Sequence, residues 1–358
     1  MSRVLAVAPV LPGQSYPQEE ITAAIGPLLA GPDRLSRLES LHRASQVRSR
    51  HFVLPLEEYA GLTSFGTAND HFIRIGTDLA VEASAAALAS AGLRAQDVDV
   101  VVFTSVTGIG APSLDALFAP RLGLRPDVRR VPSFGWGCAG GAAGLGTVHE
   151  LLLGRPQGVA LLVCVELCSL TMQHGDDSMA NLVASGLFGD GAAAVVVVGD
   201  EHPAARTAPA SAPELVGSRS RIVSGTQGQL GWSIGGSGFR IVLAAGLPDL
   251  LAATLPDDVG ALLEGHDLKV RDVAAWVVHP GGPRILDVVR DALDLDEAAL
   301  AVSRRCLAEN GNLSSASVLH VLAGTMEAPP PPGGVGVLMA FGPGVGAEHV
   351  LLRWPEAS

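Results

Sequence analysis

Leu93-Arg-Ala-Gln-Asp-Val-Asp-Val-Val-Val-Phe-Thr104 decides the fold, because the chain carries its pattern twice. The second copy is Leu268-Lys-Val-Arg-Asp-Val-Ala-Ala-Trp-Val-Val-His279. Each places an Asp-Val pair ahead of an apolar run, the pattern of a strand buried on both faces. Two further segments repeat in the same order at nearly the same offset, about half the chain. The glycine-rich stretch that starts a helix at Cys138 corresponds to Asn312-Leu-Ser-Ser-Ala-Ser, and Val159–Glu166 corresponds to Val335–Gly342. Three matches in one order indicate two halves built alike, each βαβαβ-like around a mixed or parallel sheet. We place the halves at 1–205 and 206–358, in an α/β protein.

Duplication has a chemical consequence. Equivalent positions of the two halves meet at one centre. Thr104 and His279 end matching strands, and Cys138 and Asn312 begin matching helices. Cys138, His279 and Asn312 are therefore expected to converge. Cys with His and Asn is a set for nucleophilic catalysis. Gly135 and Gly137 permit a sharp turn before the thiol, and the small residues 139–144 permit a closely packed helix. The helix dipole and His279 are expected to depress the thiol pKa. Read singly, each residue has a plain structural role: Cys138 as core, His279 as a hydrogen-bonded histidine, Asn312 as a helix N-cap.

Composition narrows the class. The chain has 358 residues, is 48% hydrophobic and 17% charged, and contains 43 glycines, as a well-packed globular protein does. Its net charge of −12 argues against nucleic-acid or membrane-surface binding. Four cysteines without close pairing make no disulfide framework, so a cytoplasmic, reducing setting is expected. Lys269 is the only lysine, which disfavours Schiff-base chemistry. Residues 1–10 read as a first strand rather than a signal peptide, and no run is long enough to span a membrane.

Residues 20–30, 32–46, 71–92 and 113–122 read as helices. Residues 159–167 and 192–198 read as buried strands. The Pro/Ala/Ser-rich stretch 200–220 reads as a linker, 225–238 as glycine-rich loop and 240–263 as helical. Arg34, Arg37, Arg43, Arg48 and Arg50 form either a solvated face or an anion site. Gly135-x-Gly137-x-x-Gly140 satisfies GxGxxG, but no strand is read immediately before it, so a dinucleotide site is set aside. Cys164, Cys168 and Cys306 lack zinc spacing and are read as core.

Several motifs together resemble the type III polyketide synthases, the chalcone-synthase-like superfamily. They are Gly137-Cys-Ala-Gly-Gly141, Leu187-Phe-Gly-Asp-Gly191, His279-Pro-Gly-Gly-Pro-Arg-Ile-Leu-Asp287, Gly311-Asn-Leu-Ser-Ser315 and Phe341-Gly-Pro-Gly344. The resemblance implies the thiolase-like duplicated αβαβα five-layer fold, a homodimer, and no metal or redox cofactor. It implies acyl-CoA and malonyl-CoA as substrates, with an acyl carrier protein as a further starter donor. Cys138 resembles the acyl-carrying nucleophile, with His279 and Asn312 as partners. Phe188 resembles a gatekeeper. Thr171, Gly238 and Ser314 resemble cavity-lining residues, Gly342, Pro343 and Gly344 a cyclisation-pocket wall, and Phe239 a second candidate for that wall. Ala111 replaces a larger family residue. The arginines at 34–50 fall where the family binds CoA phosphates.

Segments 106–116 and 179–188 are more similar to bacterial alkylpyrone-forming members than to naphthalene-forming ones. The expected reaction is decarboxylative Claisen condensation from a medium or long fatty acyl starter, closing to an α-pyrone. The alternatives are a ketoacyl-acyl-carrier-protein synthase that primes fatty-acid synthesis, and a non-catalytic acyl-binding subunit of the same fold.

Overall fold

The computed structural model describes residues 1–356. The chain opens with β1 (Ser2–Val10), in which Val4, Ala6, Ala8 and Val10 alternate inward. A small ribbon of β2 (Ser15–Pro17) and β3 (Ser49–His51) encloses helices α1 (Gln18–Leu29) and α2 (Pro32–Ala44). Helix α3 (Phe65–Ala91) is capped by Ser64 and ended by Gly92 in the left-handed region. Then come β4 (Val100–Ser105), α4 (Leu114–Leu122), β5 (Arg129–Phe134), α5 (Gly140–Leu153), β6 (Val159–Leu167), α6 (Met179–Ser185), β7 (Asp190–Gly199) and the short α7 (Pro203–Thr207).

The second half begins with β8 (Glu214–Ile222) and a hairpin of β9 (Leu230–Gly235) and β10 (Gly238–Leu243). It continues through α8 (Leu247–Glu264), β11 (Val273–Val278), α9 (Pro283–Ala292), α10 (Ala301–Asn310), α11 (Ser317–Glu327), β12 (Val335–Gly342) and β13 (Gly346–Arg353). Two sequence expectations need correction here. The last third of the supposed linker 200–220 belongs to strand β8, which pairs with β13 and briefly with β1. Its run of Ser and Arg residues, 218–221, hides its strand character. The start of the supposed helix at 240–263 is strand β10.

Nine strands run in the order β11-β12-β13-β8-β1-β7-β6-β4-β5. Reading inward from β4, the pairs β4–β6, β6–β7 and β7–β1 are parallel, antiparallel and antiparallel. Reading inward from β11, the pairs β11–β12, β12–β13 and β13–β8 have the same directions. The two sheets are therefore duplicates joined at β1 and β8. Helix α3 covers the outside of the first sheet and α8 and α9 the outside of the second, while α5 and α11 touch strands of both. The layers are αβαβα.

Strands β6 and β7 are buried along their whole length, as strands covered on both faces must be. The middle core draws on both halves: Val102, Leu145 and Leu162 pack in one cluster with Val277, Leu319 and Leu338. At about 25 cal/mol per Å² of buried apolar surface, this shared core holds the halves together.

Candidate active site

Cys138 lies in a single 3₁₀ turn, Gly137–Ala139, between β5 and α5. Gly137 has φ +53, and a Cβ there would lie 2.5 Å from the Pro343 ring. Likewise a Cβ on Gly342 would lie 2.3 Å from the Trp136 carbonyl oxygen. Gly342 and Pro343 thus brace the nucleophile turn from behind, Gly344 instead donates its N–H to the Leu230 carbonyl at 2.9 Å, and Phe341 just before them faces the cavity. This also disposes of the GxGxxG reading. Strand β5 does run into the glycines, contrary to expectation, but the open faces of Gly137 and Gly140 are filled by Pro343, Thr104 and Ser315 rather than left for a pyrophosphate.

His279 follows β11, and its backbone N–H donates to the Met339 carbonyl at 2.9 Å. Its two ring nitrogens are buried and make no hydrogen bond. Asn312 is oriented by its turn. Its Oδ1 accepts from the Ser314 N–H at 2.8 Å, and its Nδ2 donates to the Gly281 carbonyl at 3.3 Å. Oδ1 is thereby committed to the turn, which leaves the second N–H of the amide to the cavity. The Asn312 backbone also bridges Leu187–Gly189, tying the gate residue Phe188 to the same turn.

Cys138, His279, Asn312 and Phe188 line one cavity of about 410 Å³. Its other walls are mostly apolar, among them Leu41, Val183, Leu187, Leu243 and Leu251. Beyond Phe188 lies a space of about 40 Å³, bounded by Phe188, Ile241, Trp232 and Thr171. A third space of about 150 Å³ is lined by Thr171, Met172, Gly238 and Phe239. Phe188 and Ile241 wall both the first and second spaces, while Thr171 and Met172 wall both the second and third.

Several sequence candidates fall elsewhere. Thr171, Gly238 and Phe239 do not reach the Cys138 cavity; they stand behind the partition. Phe239 packs edge-on against Phe65 and Trp232. Ala111 is exposed and lines none of these three spaces. Ser314 is buried with φ +48 and an unpartnered hydroxyl, and it acts on the thiol. Among the arginines, Arg50 is wrongly placed for a CoA phosphate. It is 1% exposed, and its guanidinium donates to the Phe188 carbonyl at 2.6 Å and to Gln18 at 2.9 Å. Arg34 pairs with Asp177 and Arg48 with Glu309. Arg37 and Arg43 are exposed on α2. None of the five lines the cavity. Cys164 and Cys168 are buried, whereas Cys306 is half-buried.

The charge state of the site also corrects the sequence reading. Burial pushes the Cys138 thiol up to about 12, and the Glu166 carboxylate adds to this; Ser314 and Asn312 oppose it. Burial alone pulls His279 down to about 3. Burial thus holds each group, taken singly, toward its neutral form, the thiol at Cys138 and the imidazole at His279.

Sequence reasoning missed three residues. Glu166 is fully buried at the end of β6. It accepts from Ser315 Oγ at 2.6 Å, Thr107 Oγ1 at 2.9 Å and the Val106 N–H at 3.0 Å, and so ties the first half to the Asn312 turn. One charge in the otherwise apolar run VALLVCVEL was its signal. Trp232 and Ile241 sit on the β9–β10 hairpin. The alternation around Gly235-Gly-Ser-Gly238 was the signal for it.

Residues 2–201 match the family described as chalcone and stilbene synthases, N-terminal domain, and residues 214–355 match its C-terminal domain. The 1,3,6,8-tetrahydroxynaphthalene synthase of Streptomyces peucetius subsp. caesius is 51% identical over 98% of this chain and 93% of that protein. The alpha-pyrone synthesis polyketide synthase-like Pks18 of Mycobacterium tuberculosis is 29% identical over 93% of this chain and 86% of that protein. Among solved structures, 1,3,6,8-tetrahydroxynaphthalene synthase from Streptomyces coelicolor A3(2) superposes with a TM-score of 0.89 at 30% identity, covering 99% of this chain and 100% of that one.

Proposed function

The chain belongs to the chalcone and stilbene synthase family of type III polyketide synthases, condensing acyltransferases, and from that premise we propose that it builds a short-starter polyketide from malonyl-CoA and closes it to a polyhydroxynaphthalene. The observation that carries the starter is the partition behind Phe188. Ile241 and Trp232 leave about 40 Å³ there, too little for a long aliphatic tail. The 51% identity to a naphthalene-named synthase supports the ring. A ten-carbon naphthalene needs five two-carbon units, so malonyl groups alone supply every ring carbon.

Loading begins with attack of the Cys138 sulfur on the thioester carbonyl. His279 takes the thiol proton as the sulfur attacks and returns it to the departing CoA thiolate. A second malonyl thioester then loses CO2. Its enolate oxygen receives the free Asn312 N–H and the ring N–H of neutral His279, donors aimed where charge develops. The resulting carbanion attacks the Cys138 thioester, and sulfur leaves as thiolate. The extended chain, now a CoA thioester, is reloaded onto Cys138 by the same attack with CoA departing, and repetition lengthens it. These steps call on the thioesters and these side chains, and on no further cofactor.

The apolar walls of the 410 Å³ cavity favour a second reading, a fatty acyl starter closing to an α-pyrone. Mass spectrometry of products from malonyl-CoA alone, and with a panel of acyl-CoA starters, tests the two. A naphthalene from malonyl-CoA alone supports the first reading. Alkylpyrones formed only with acyl-CoA support the second. A linear ketoacyl thioester refutes both in favour of fatty-acid priming, and absence of decarboxylation points to a binding subunit.

We further propose a cytoplasmic homodimer formed at the edge strand β5. Phe134 (49%) and Ile109 (42%) are exposed there, and β5, paired with β4 on one side, ends the sheet with its outer edge open. Among the described residues no helix is long and apolar enough to cross a membrane.

A further inference from the structure

We propose that Gln18 and Arg50 form a buried clamp that fixes the backbone of Phe188, and through it the size of starter that Cys138 accepts. Both are positioning residues. This rests on the reading that Phe188 divides the acyl space, and adds what holds the divider in place.

Phe188 lies in the link 186–189 between α6 and β7. Three successive carbonyls of this link are each held by a different residue. Gln18 Nε2 donates to that of Gly186 at 2.8 Å, the Asn312 N–H to that of Leu187 at 2.8 Å, and Arg50 Nη1 to that of Phe188 at 2.6 Å. The N–H groups are engaged too, Gly186 with Val183, and Leu187 and Phe188 with Ala184. The packing leaves no slack. A Cβ on Gly186 would lie 2.6 Å from His42 Cδ2, and one on Gly311 would lie 2.5 Å from the Leu187 carbonyl oxygen and 2.9 Å from Arg50 Cδ. The Phe188 ring can turn about its own side-chain bonds, but its pivot cannot shift unless a buried hydrogen bond breaks.

One jaw of the clamp comes from the small ribbon. Gln18 follows β2 and Arg50 sits in β3, and the Gln18 N–H donates to the Arg48 carbonyl at 2.8 Å, which sets the two side chains together. Arg50 Nε donates to Gln18 Oε1 at 2.9 Å. That bond fixes which end of the amide faces Gly186, since a flipped Gln18 would set donor against donor and acceptor against acceptor. The ribbon is seated on the end of α10: the Arg48 N–H donates to the Ala308 carbonyl at 2.7 Å, and Ser49 Oγ to the Glu309 carbonyl at 2.9 Å. Asn312, the other jaw, leaves the same helix end two residues later. Gln18 is 7% and Arg50 1% exposed. The Asp190 carboxylate, two residues past Phe188, compensates the buried cation. Buried charges add little net stability. Here the guanidinium does what an apolar residue could not, holding a carbonyl at a fixed point between the 410 Å³ cavity and the 40 Å³ space.

Two readouts on the full chain test this. The first is amide hydrogen exchange of residues 186–189, followed by mass spectrometry, which needs no turnover. The wild type should protect these amides as it does those of β7. Gln18→Met removes two hydrogen bonds without changing charge, and should speed exchange there about tenfold. Arg50→Met should do at least as much, and Arg50→Lys, which can still reach one acceptor, should restore part of the protection. The second readout is the rate at which butyryl-CoA and decanoyl-CoA acylate Cys138, read by intact-protein mass spectrometry. In Gln18→Met the ratio of decanoyl to butyryl loading should rise about tenfold, with butyryl loading little changed. A merely structural role would lower both rates together and leave the ratio alone. Should Arg50→Met fail to fold, Gln18→Met decides. Fast exchange at 186–189 in the wild type, unchanged exchange in Gln18→Met, or faster exchange with an unchanged loading ratio overturns the proposal. Wild-type protein that loads neither starter refutes the thioester reading, and hydrogen exchange then decides the clamp by itself.

Discussion

Replacing Gly141 with alanine should weaken both the fold and the chemistry. Gly141 lies in the first turn of α5, where that helix meets the Asn312 turn. An added Cβ would sit 2.4 Å from the Ser315 carbonyl oxygen and 2.6 Å from Val318 Cγ1. The shortfall from ordinary contact is about 1 Å. Ser315 cannot retreat cheaply, because its Oγ donates to buried Glu166 at 2.6 Å. Helix propensity works the other way, favouring alanine by about 1 kcal/mol. Overpacking costs about 1–3 kcal/mol and prevails when the obstacle is backbone. The net expectation is a loss of up to about 2 kcal/mol in urea unfolding. If the Asn312 turn yields by about 1 Å instead, decarboxylation of malonyl-CoA falls on the order of a hundredfold. Gly260→Ala in α8 is the control. No atom lies within 4 Å of its Cβ position, so it should be neutral or stabilising. A Gly141→Ala protein with wild-type unfolding midpoint and wild-type decarboxylation refutes the claim that the halves meet here without slack.

Three other predictions follow from the same geometry. Alkylation of Cys138 by iodoacetamide, followed by mass spectrometry, should stay slow through pH 7–9 in the free protein, because the thiol is pushed up to about 12; an inflection near an ordinary thiol pKa of about 8.5 counts against it. Trp232→Ala, alone and with Ile241→Gly, should merge the cavities on either side of Phe188 and raise kcat/KM for medium-chain acyl-CoA starters about tenfold; an unchanged starter profile from folded protein removes the partition as the size limit. His42, buried against Thr22 and Ser185, is held down to about 3, so the unfolded chain binds a proton that the folded one refuses between about pH 6.5 and 3. Stability should therefore fall as pH drops through that window, and His42→Gln should reduce the slope by about 1.4 kcal/mol per pH unit, read from urea midpoints at pH 6 and pH 4.5.

What was legible in the sequence is what duplication repeats. The Asp-Val strand, the small-residue helix and the closing strand each occur twice, so a chance match at one place is checked at another. Burial on both faces also writes a plain signal, as in the unbroken apolar run of β7. Strands that are open on one side write a weaker one. Strand β5 contains Arg129, Arg130 and Pro132 because it is an edge, and β8 carries Ser218, Arg219, Ser220 and Arg221, so β5 was not read as a strand and the start of β8 was read as linker. The hairpin that carries Trp232 and Ile241 has no counterpart in the first half, so the repeat could not reveal it. Gly238 and Phe239 came to the cavity wall through the family resemblance, whereas Ile241 of the same strand is the residue that lines the Cys138 cavity.

At the nucleophile the helix dipole is outweighed by burial, for a reason of magnitude. A helix N-terminus contributes about 0.3–1 kcal/mol to a nearby anion, less than one pKa unit. The thiol is displaced from an ordinary 9.0 to about 12, in the opposite direction. The residues that invited the dipole argument cause the burial that defeats it: Gly140 and Gly141 let the second half close over the turn, and closure takes water from the sulfur. The same closure keeps His279 neutral. A neutral imidazole can still accept the thiol proton during loading, and afterwards it can donate its own N–H to an enolate, which an acceptor-only carboxylate in its place could not do. One desolvated histidine therefore serves both half-reactions without changing its resting charge, and the thiolate exists when sulfur attacks or departs.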